Sequence, residues 1–196
     1  MKDLEELKYF LEMQVTRNCL YWIHVSQSSY ISKILKHFDI ENCNSTSTLL
    51  ATGTKLLKMK EKIDKIVDQC LYQQLIESQM YSMVNTHPDT IYLLSQISQY
   101  NASLNSTHET AAKWELKYLA GTVNVRITYN ETENLVIEAH CNADYAARED
   151  RKSISGIVIM MVNGAVSWQF KKQSTVATFT TEVEYVAIAN AAKELI

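Results

Sequence analysis

Two short stretches of the sequence carry oxygen ligands at spacings that could hold a divalent cation. Cys141-Asn142-Ala143-Asp144 ends a β-prone run, and Thr181-Glu182-Val183-Glu184-Tyr185 opens a helical one. A strand-end acid facing a helix acid is a common way to hold Mg²⁺, because hard cations want oxygen ligands and phosphoryl transfer uses two of them about 4 Å apart. On local pattern alone the same residues also read as surface acids, Glu182 and Glu184 being favoured at a helix N-terminus by its dipole. Basic residues come next. Lys55, Lys58, Lys60, Lys62 and Lys65 crowd one stretch, broken by Glu61 and Asp64, and Lys171-Lys172 close a β-prone run. Both sets could contact phosphates, but the first reads more readily as a solvated face, and an exposed hairpin end explains the second equally. His140-Cys141 does not make a nucleophile pair, since neighbours on a strand point to opposite faces. Trp22, Trp114 and Trp168 could stack on bases, but each sits in an apolar period that suits a core.

The elements that must position these residues are legible as periods. Leu7 to Val15 and Cys19 to Val25 are β-prone runs separated by Thr16-Arg17-Asn18, which predicts a hairpin. Ser26 can cap a helix carrying Ile31, Ile34, Leu35 and Phe38 on one face. Residues 41–54 are polar and aperiodic. Helical spacing returns over Asp68 to Met83 through Leu71, Leu75 and Ile76, and over Asp89 to Tyr100 through Ile91, Leu94 and Ile97, with Pro88 marking the boundary. A further helix is predicted over Ser106 to Leu119, capped by Ser106 or Thr107, with Gly121 at its C-terminal turn. Strands follow around Val123 to Ile127 and Leu135 to Ile137. Ile154 to Val162 and Ala165 to Phe170 form a hairpin about Asn163-Gly164, a pair that favours a type I′ turn. Thr181 to Ile196 reads as a helix capped by Thr180 or Thr181, with Tyr185, Ile188, Ala192 and Leu195 on its apolar face. The fold class expected is α+β.

Composition narrows the function classes. The 196 residues are 46% hydrophobic and 21% charged, enough for a full core, and the net charge of -3 leaves no chain-wide cationic field for nucleic acid or membrane. Average usage would supply about 14 glycines and about 10 prolines, whereas the chain has 4 Gly and 1 Pro. Several turns must therefore use residues for which a positive φ is costly. Cys19, Cys43, Cys70 and Cys141 are widely spaced with no C-x-x-C, so they are expected to be reduced and buried in an intracellular, cytoplasmic or nuclear protein. No signal core and no run of 18 apolar residues occurs, so neither secretion nor a membrane span is expected. The sequons at Asn44, Asn101, Asn105 and Asn130 then read as chance.

The order of motifs adds a resemblance. Asn142-Ala143-Asp144-Tyr145-Ala146, Arg151-Lys152-Ser153-Ile154-Ser155-Gly156, Gly164-Ala165-Val166-Ser167-Trp168, Lys171-Lys172-Gln173 and Thr180-Thr181-Glu182-Val183-Glu184-Tyr185 resemble the ribonuclease H region of copia-type LTR-retrotransposon Pol polyproteins. Upstream, Met1-Lys2-Asp3-Leu4, Leu7-Lys8-Tyr9-Phe10-Leu11, Ser26-Gln27, Tyr30-Ile31, Tyr72-Gln73-Gln74-Leu75-Ile76 and Pro88-Asp89 resemble that family's reverse-transcriptase region beyond its catalytic aspartates. The resemblance covers nearly the whole chain. It implies the end of a palm-like region and a linker over 1–54, a helical thumb- or connection-like region over 55–122, and an incomplete ribonuclease H-like mixed sheet with one helix over 123–196. The parent activity would be RNA-directed DNA synthesis and Mg²⁺-dependent cleavage of RNA–DNA hybrids.

Particular residues decide how far that activity carries over. By the resemblance, Asn142 stands where the family has its metal-bridging Asp, and Glu184 is the helix acid. The polymerase motif would lie before Met1 and the later ribonuclease H acids after Ile196, so a chain of this extent is expected to lack both activities and to bind no functional Mg²⁺. An Asn oxygen can ligate a cation but brings no charge. One lost charge pair at about 4 Å and an effective dielectric of about 20 is of order 4 kcal/mol, or roughly three decades in rate. Asp144 shares the strand face of Asn142, but two residues of strand span about 6.6 Å, so it is not expected to substitute. The other reading is a co-opted, non-catalytic nucleic-acid-binding module using Lys55 to Lys65 and Lys171-Lys172. Where the family carries Gly after Phe-Leu this chain has Glu12, a charge expected to cost several kcal/mol if buried unpaired in its strand.

Overall fold

A computed structural model of the chain describes residues 6–18, 22–51, 53, 54, 56, 68–102, 104–130, 136–146 and 151–196. Lys55, Lys58, Lys60, Lys62, Lys65 and Cys19 therefore lie outside the described residues. The architecture is α+β, with two antiparallel sheets and five α-helices among the described residues. The chain divides into two units, Met1–Thr16 with His24–Arg126, and Arg17–Ile23 with Ile127–Ile196.

The first unit begins with β1 (Tyr9–Phe10), β2 (Met13–Asn18) and β3 (Trp22–Ser26), whose inner part it shares with the second unit. The run expected to be one strand from Leu7 to Val15 folds back at Leu11-Glu12, where φ is 47° and 59°, and Tyr9 pairs with Gln14 and Phe10 with Met13. Two consecutive residues at positive φ are type I′ geometry, which glycine would adopt without steric cost. Glu12 thus sits in an exposed turn, not inside a strand, and its carboxylate accepts from Tyr9 Oη at 2.5 Å and Lys33 Nζ at 2.7 Å. The expected cost of a buried unpaired charge does not arise. Lys33 first and Tyr9 second hold the Glu12 carboxyl below its ordinary range. Thr16-Arg17-Asn18, expected as the turn, complete β2.

Helix α1 (Ser28–His37) starts without the Ser26 cap that the sequence suggested. Gln27 occupies that position, and its buried side chain is drawn inward, Oε1 accepting from Thr86 Oγ1 at 2.8 Å. Helix α2 (Gln69–Asn85) is capped by Asp68, whose Oδ1 accepts from the backbone N–H groups of Cys70 and Leu71. A 3-10 turn at Pro88–Thr90 leads into α3 (Ile91–Ile97), and α4 spans Ser106–Gly121. Asn105 caps α4 in place of Ser106 or Thr107, accepting from His108 N at 2.9 Å while His108 Nδ1 accepts from Asn105 N at 3.3 Å. The helices meet on Ile31, Ile34 and Leu35 of α1, Leu75 and Ile76 of α2, Leu94 and Ile97 of α3, and Leu116 and Leu119 of α4, all buried. Each such side chain contributes about 1.5–3 kcal/mol by leaving water. Leu71, expected on that face, is exposed, and Tyr72 takes its place.

The second unit contains β4 (Arg126–Asn130), β5 (Ile137–Asp144), β6 (Ile154–Met161), β7 (Gly164–Lys172) and α5 (Thr180–Glu194). Strands β5, β6 and β7 form an antiparallel sheet in that order, with Cys141 opposite Ile157, Asn142 opposite Gly156 and Met161 opposite Gly164. The β6–β7 turn is therefore Val162-Asn163, at φ 53° and 62°, one residue earlier than the expected Asn163-Gly164. The reason is packing. A Cβ on Gly164 would stand 2.3 Å from the Tyr129 ring and 2.9 Å from the Thr128 carbonyl oxygen. Gly164 is kept for close approach, and the turn is left to residues with side chains. The predicted shortage of glycine at turns is visible along the chain, with positive φ at Leu11, Glu12, Asp39, Ala146, Arg151, Val162 and Asn163.

Helix α5 corrects its expected face. Val183, Ala187 and Ala191 are buried, whereas Tyr185 is 69% and Ile188 53% exposed, with Ala192 and Leu195 also exposed. Both stripes have helical spacing, so periodicity cannot choose between them. The small one lets the helix approach Ile157 and Ile159, which supply the volume of the core with Ala139 and Cys141. Its N-cap is Phe179, with no side-chain cap, in place of Thr180 or Thr181. Of the cysteines, Cys43 and Cys141 are half-buried and Cys70, on the first turn of α2, is exposed, all as free thiols, so none of the three reaches the expected burial. Among the described residues no helix is long and apolar enough to cross a membrane.

Candidate functional site

The sheet of the second unit sets where each expected site residue points. Ala139 and Cys141 of β5 pack with Ile157, Ile159 and Ala191, so the odd-numbered positions of β5 face α5. Period 2 then turns Glu138, His140, Asn142 and Asp144 to the opposite face, and all four are exposed. On that face His140 Nε2 lies 3.5 Å from Glu138 Oε2. The Asn142 side-chain oxygen accepts the neighbouring Ala143 N–H at 2.9 Å, so one of its lone pairs is already engaged.

Glu184 lies in the second turn of α5 and is half-buried. Its helix is anchored by Gln173, a buried residue just beyond β7. Gln173 Nε2 donates to Ser155 Oγ at 2.8 Å and to the Val183 carbonyl at 3.0 Å, while its backbone N–H donates to the Ser153 carbonyl at 2.9 Å. Glu182 turns back on its own chain, Oε2 accepting from Thr178 N at 2.9 Å and Thr178 Oγ1 at 3.2 Å. Ser153, Ser155 and Gln173 belong to the sequence blocks that carried the resemblance, yet their role as the clamp on α5 was not legible from those blocks. Only the register of β6 and the return of the chain after β7 bring them together.

This donor set does not fit a two-cation centre. Asn142 is neutral and engaged, Asp144 shares its outward face, and Glu184 rides on the helix that covers the other face. Among the described residues no group of three or more His, Cys, Asp and Glu side chains is placed to hold a metal ion. Of the basic residues, Lys171 and Lys172 are exposed at the end of β7, opposite Ser155 and Ile154. Trp114 is committed to the first unit, its Nε1 donating to the Thr48 carbonyl at 2.9 Å. Trp168 is half-buried in β7 opposite Val158.

The fold is that of an α+β chain, and the class of protein it is similar to comes from its relatives. All of its length aligns at 34% identity, over 206 residues, with the "Retrovirus-related Pol polyprotein from transposon TNT 1-94" of Nicotiana tabacum, of which it covers 15%. It is 32% identical over 196 residues to the "Retrovirus-related Pol polyprotein from transposon RE1" of Arabidopsis thaliana, covering 13% of that protein. A 34% identity over 126 residues, 64% of this chain, covers 89% of the "Secreted RxLR effector protein 161" of Plasmopara viticola. Over its full length the chain is a homologue of part of the retrovirus-related Pol polyproteins of transposons, the copia-type family its motifs resemble. It spans 13–15% of the length of these Pol relatives. No family model matches the chain, and no solved structure does.

Proposed function

We propose that the chain corresponds to the end of the reverse-transcriptase region and the start of the ribonuclease H region of a retrotransposon Pol polyprotein, and that its hydrolytic site does not cut RNA–DNA hybrids. The carrying observation is Asn142: an uncharged side chain, hydrogen-bonded to its own neighbour, where the reaction needs a bridging anion. Loss of one anion beside a cation at about 4 Å is of order 4 kcal/mol at an effective dielectric of about 20, which is roughly three decades in rate. The helical first unit would correspond to the thumb or connection, and the β5–β7 sheet with α5 to the start of the ribonuclease H fold.

The test is to incubate the purified chain with an RNA–DNA hybrid and Mg²⁺, comparing wild type with Asn142→Asp and Glu184→Gln. Equal, background-level cleavage by wild type and Glu184→Gln is expected. Cleavage by wild type that Glu184→Gln abolishes overturns the reading.

The exposed Lys171 and Lys172 favour a second reading, a module that holds nucleic acid without catalysis. Adjacent strand residues offer one charge to each face, so the expected contact is electrostatic and non-specific. Binding to the hybrid should weaken steeply from low to moderate salt, and Lys171→Ala with Lys172→Ala should flatten that dependence. Salt-independent binding, or none, eliminates this reading.

A further inference from the structure

Among the described residues Glu115 alone buries a carboxyl completely, at 0% exposure, on the face of α4 that also carries Ala112, Leu116 and Leu119. Neither of its oxygens has a hydrogen-bond partner. The Thr90 hydroxyl lies beside it, but that proton goes to the His87 carbonyl at 3.0 Å. Among the described residues no cation compensates. The lysines nearest in sequence on α4 are turned outward, Lys113 pairing with Glu109 at 2.5 Å and Lys117 standing 5.8 Å over the Trp114 ring.

The elements packed against α4 offer the carboxyl little beyond the Thr90 hydroxyl, the one neighbour that favours its charged form. The 3-10 turn brings Asp89, a like charge whose carboxylate accepts from Tyr118 Oη. Helix α2 brings Tyr72, whose hydroxyl donates to the Ile97 carbonyl at 2.9 Å, and Gln79, whose Nε2 donates to the Ala112 carbonyl at 2.7 Å. Helices α1 and α3 present buried aliphatic residues. Burial first and the Asp89 charge second push the Glu115 carboxyl well above the ordinary range. A carboxylate with no partner in such surroundings is costly enough that the group stays protonated or the surroundings open.

We propose that Glu115 is a proton-dependent latch on the first unit: neutral, it lets α4 seat against α2 and the Pro88–Thr90 turn, and ionised, it forces α4 out of that seat. The sign follows from proton counting. Between the ordinary carboxyl value and the raised one the folded state holds a proton that the unfolded state has lost, so the stability contributed below that window is lost as pH rises through it. Within the window, each pH unit multiplies the opening constant about tenfold. Other groups do not mimic this slope. His87 is shifted downward by burial and acts on the acid side, Tyr118 is pushed up to about 12, and Tyr72 is raised further.

The experiment follows hydrogen exchange of α4 amides in the full chain from pH 6 to 9, corrected for intrinsic exchange, in wild type, Glu115→Gln and Glu115→Leu. Wild type should show an α4 opening constant that rises up to about tenfold per pH unit, and both variants should be flat. A flat wild type, or variants with the wild-type slope, overturns the proposal. Should both variants fold poorly, a carbon-13 titration of the Glu115 carboxyl in wild type decides the matter. A midpoint above the ordinary carboxyl range supports the latch, and an ordinary midpoint overturns it.

Discussion

Replacing Gly164 by alanine tests why the β6–β7 turn sits where it does. The added Cβ would stand 2.3 and 2.4 Å from two Tyr129 ring carbons and 2.9 Å from the Thr128 carbonyl oxygen, well inside contact distance. The ring cannot swing away freely, because Tyr129 Oη donates to the Ala165 carbonyl at 2.8 Å. Overpacking of this kind costs about 1–3 kcal/mol, and loss of the tyrosine hydrogen bond adds about 1 kcal/mol. For a unit of this size each kcal/mol lowers the melting temperature by about 4–8 °C, so a fall of roughly 10 °C or more is expected. Urea and thermal unfolding followed by tryptophan fluorescence and circular dichroism would measure it. The decisive comparison is the same substitution in a Tyr129→Ala background, where the ring clash is gone and only the 2.9 Å approach to the Thr128 carbonyl oxygen remains. There the cost should fall by about 1 kcal/mol or more, the share of the ring and its hydrogen bond. Additivity of the two substitutions within about 0.5 kcal/mol would refute the reasoning.

Two further outcomes follow from buried polar groups. Gln173→Ala removes the donor shared by Ser155 and the Val183 carbonyl and should destabilise the second unit by about 2–3 kcal/mol, read as a lower urea midpoint with earlier loss of α5 protection in hydrogen exchange. His87 is buried with its imidazole shifted downward, chiefly by burial, so the unfolded chain binds a proton more readily than the folded one. Its contribution is present above the ordinary imidazole value and is lost as pH falls below about 6.5, by up to about 1.4 kcal/mol per unit. His87→Asn should reduce that acid slope in urea midpoints measured from pH 5 to 7, and an unchanged slope would assign it elsewhere.

Much of the architecture was written in local pattern. The apolar periods of α1 to α4 located the helices of the first unit, Pro88 marked a boundary because its ring restricts the residue before it, and β-rich runs located β6 and β7, whereas β5 runs from Ile137 to Asp144, beyond the strand expected at Leu135 to Ile137. The shortage of glycine announced turns at positive φ, and Leu11-Glu12 and Val162-Asn163 are such turns. The motif blocks carried a resemblance that relatives sharing the full length of the chain bear out. Tertiary structure decided what periodicity leaves degenerate. Helix α5 carries two apolar stripes, and the smaller one is buried because only short side chains let a helix close on Ile157 and Ile159. Gln27 forgoes capping because Thr86, 59 residues away, offers its side chain a partner. Gly164 is taken from the turn because Tyr129 lies over it. Glu115 reads as an ordinary helix-surface acid until its neighbours are known, since burial depends on what four other segments place around a residue and a linear pattern reports only its own face.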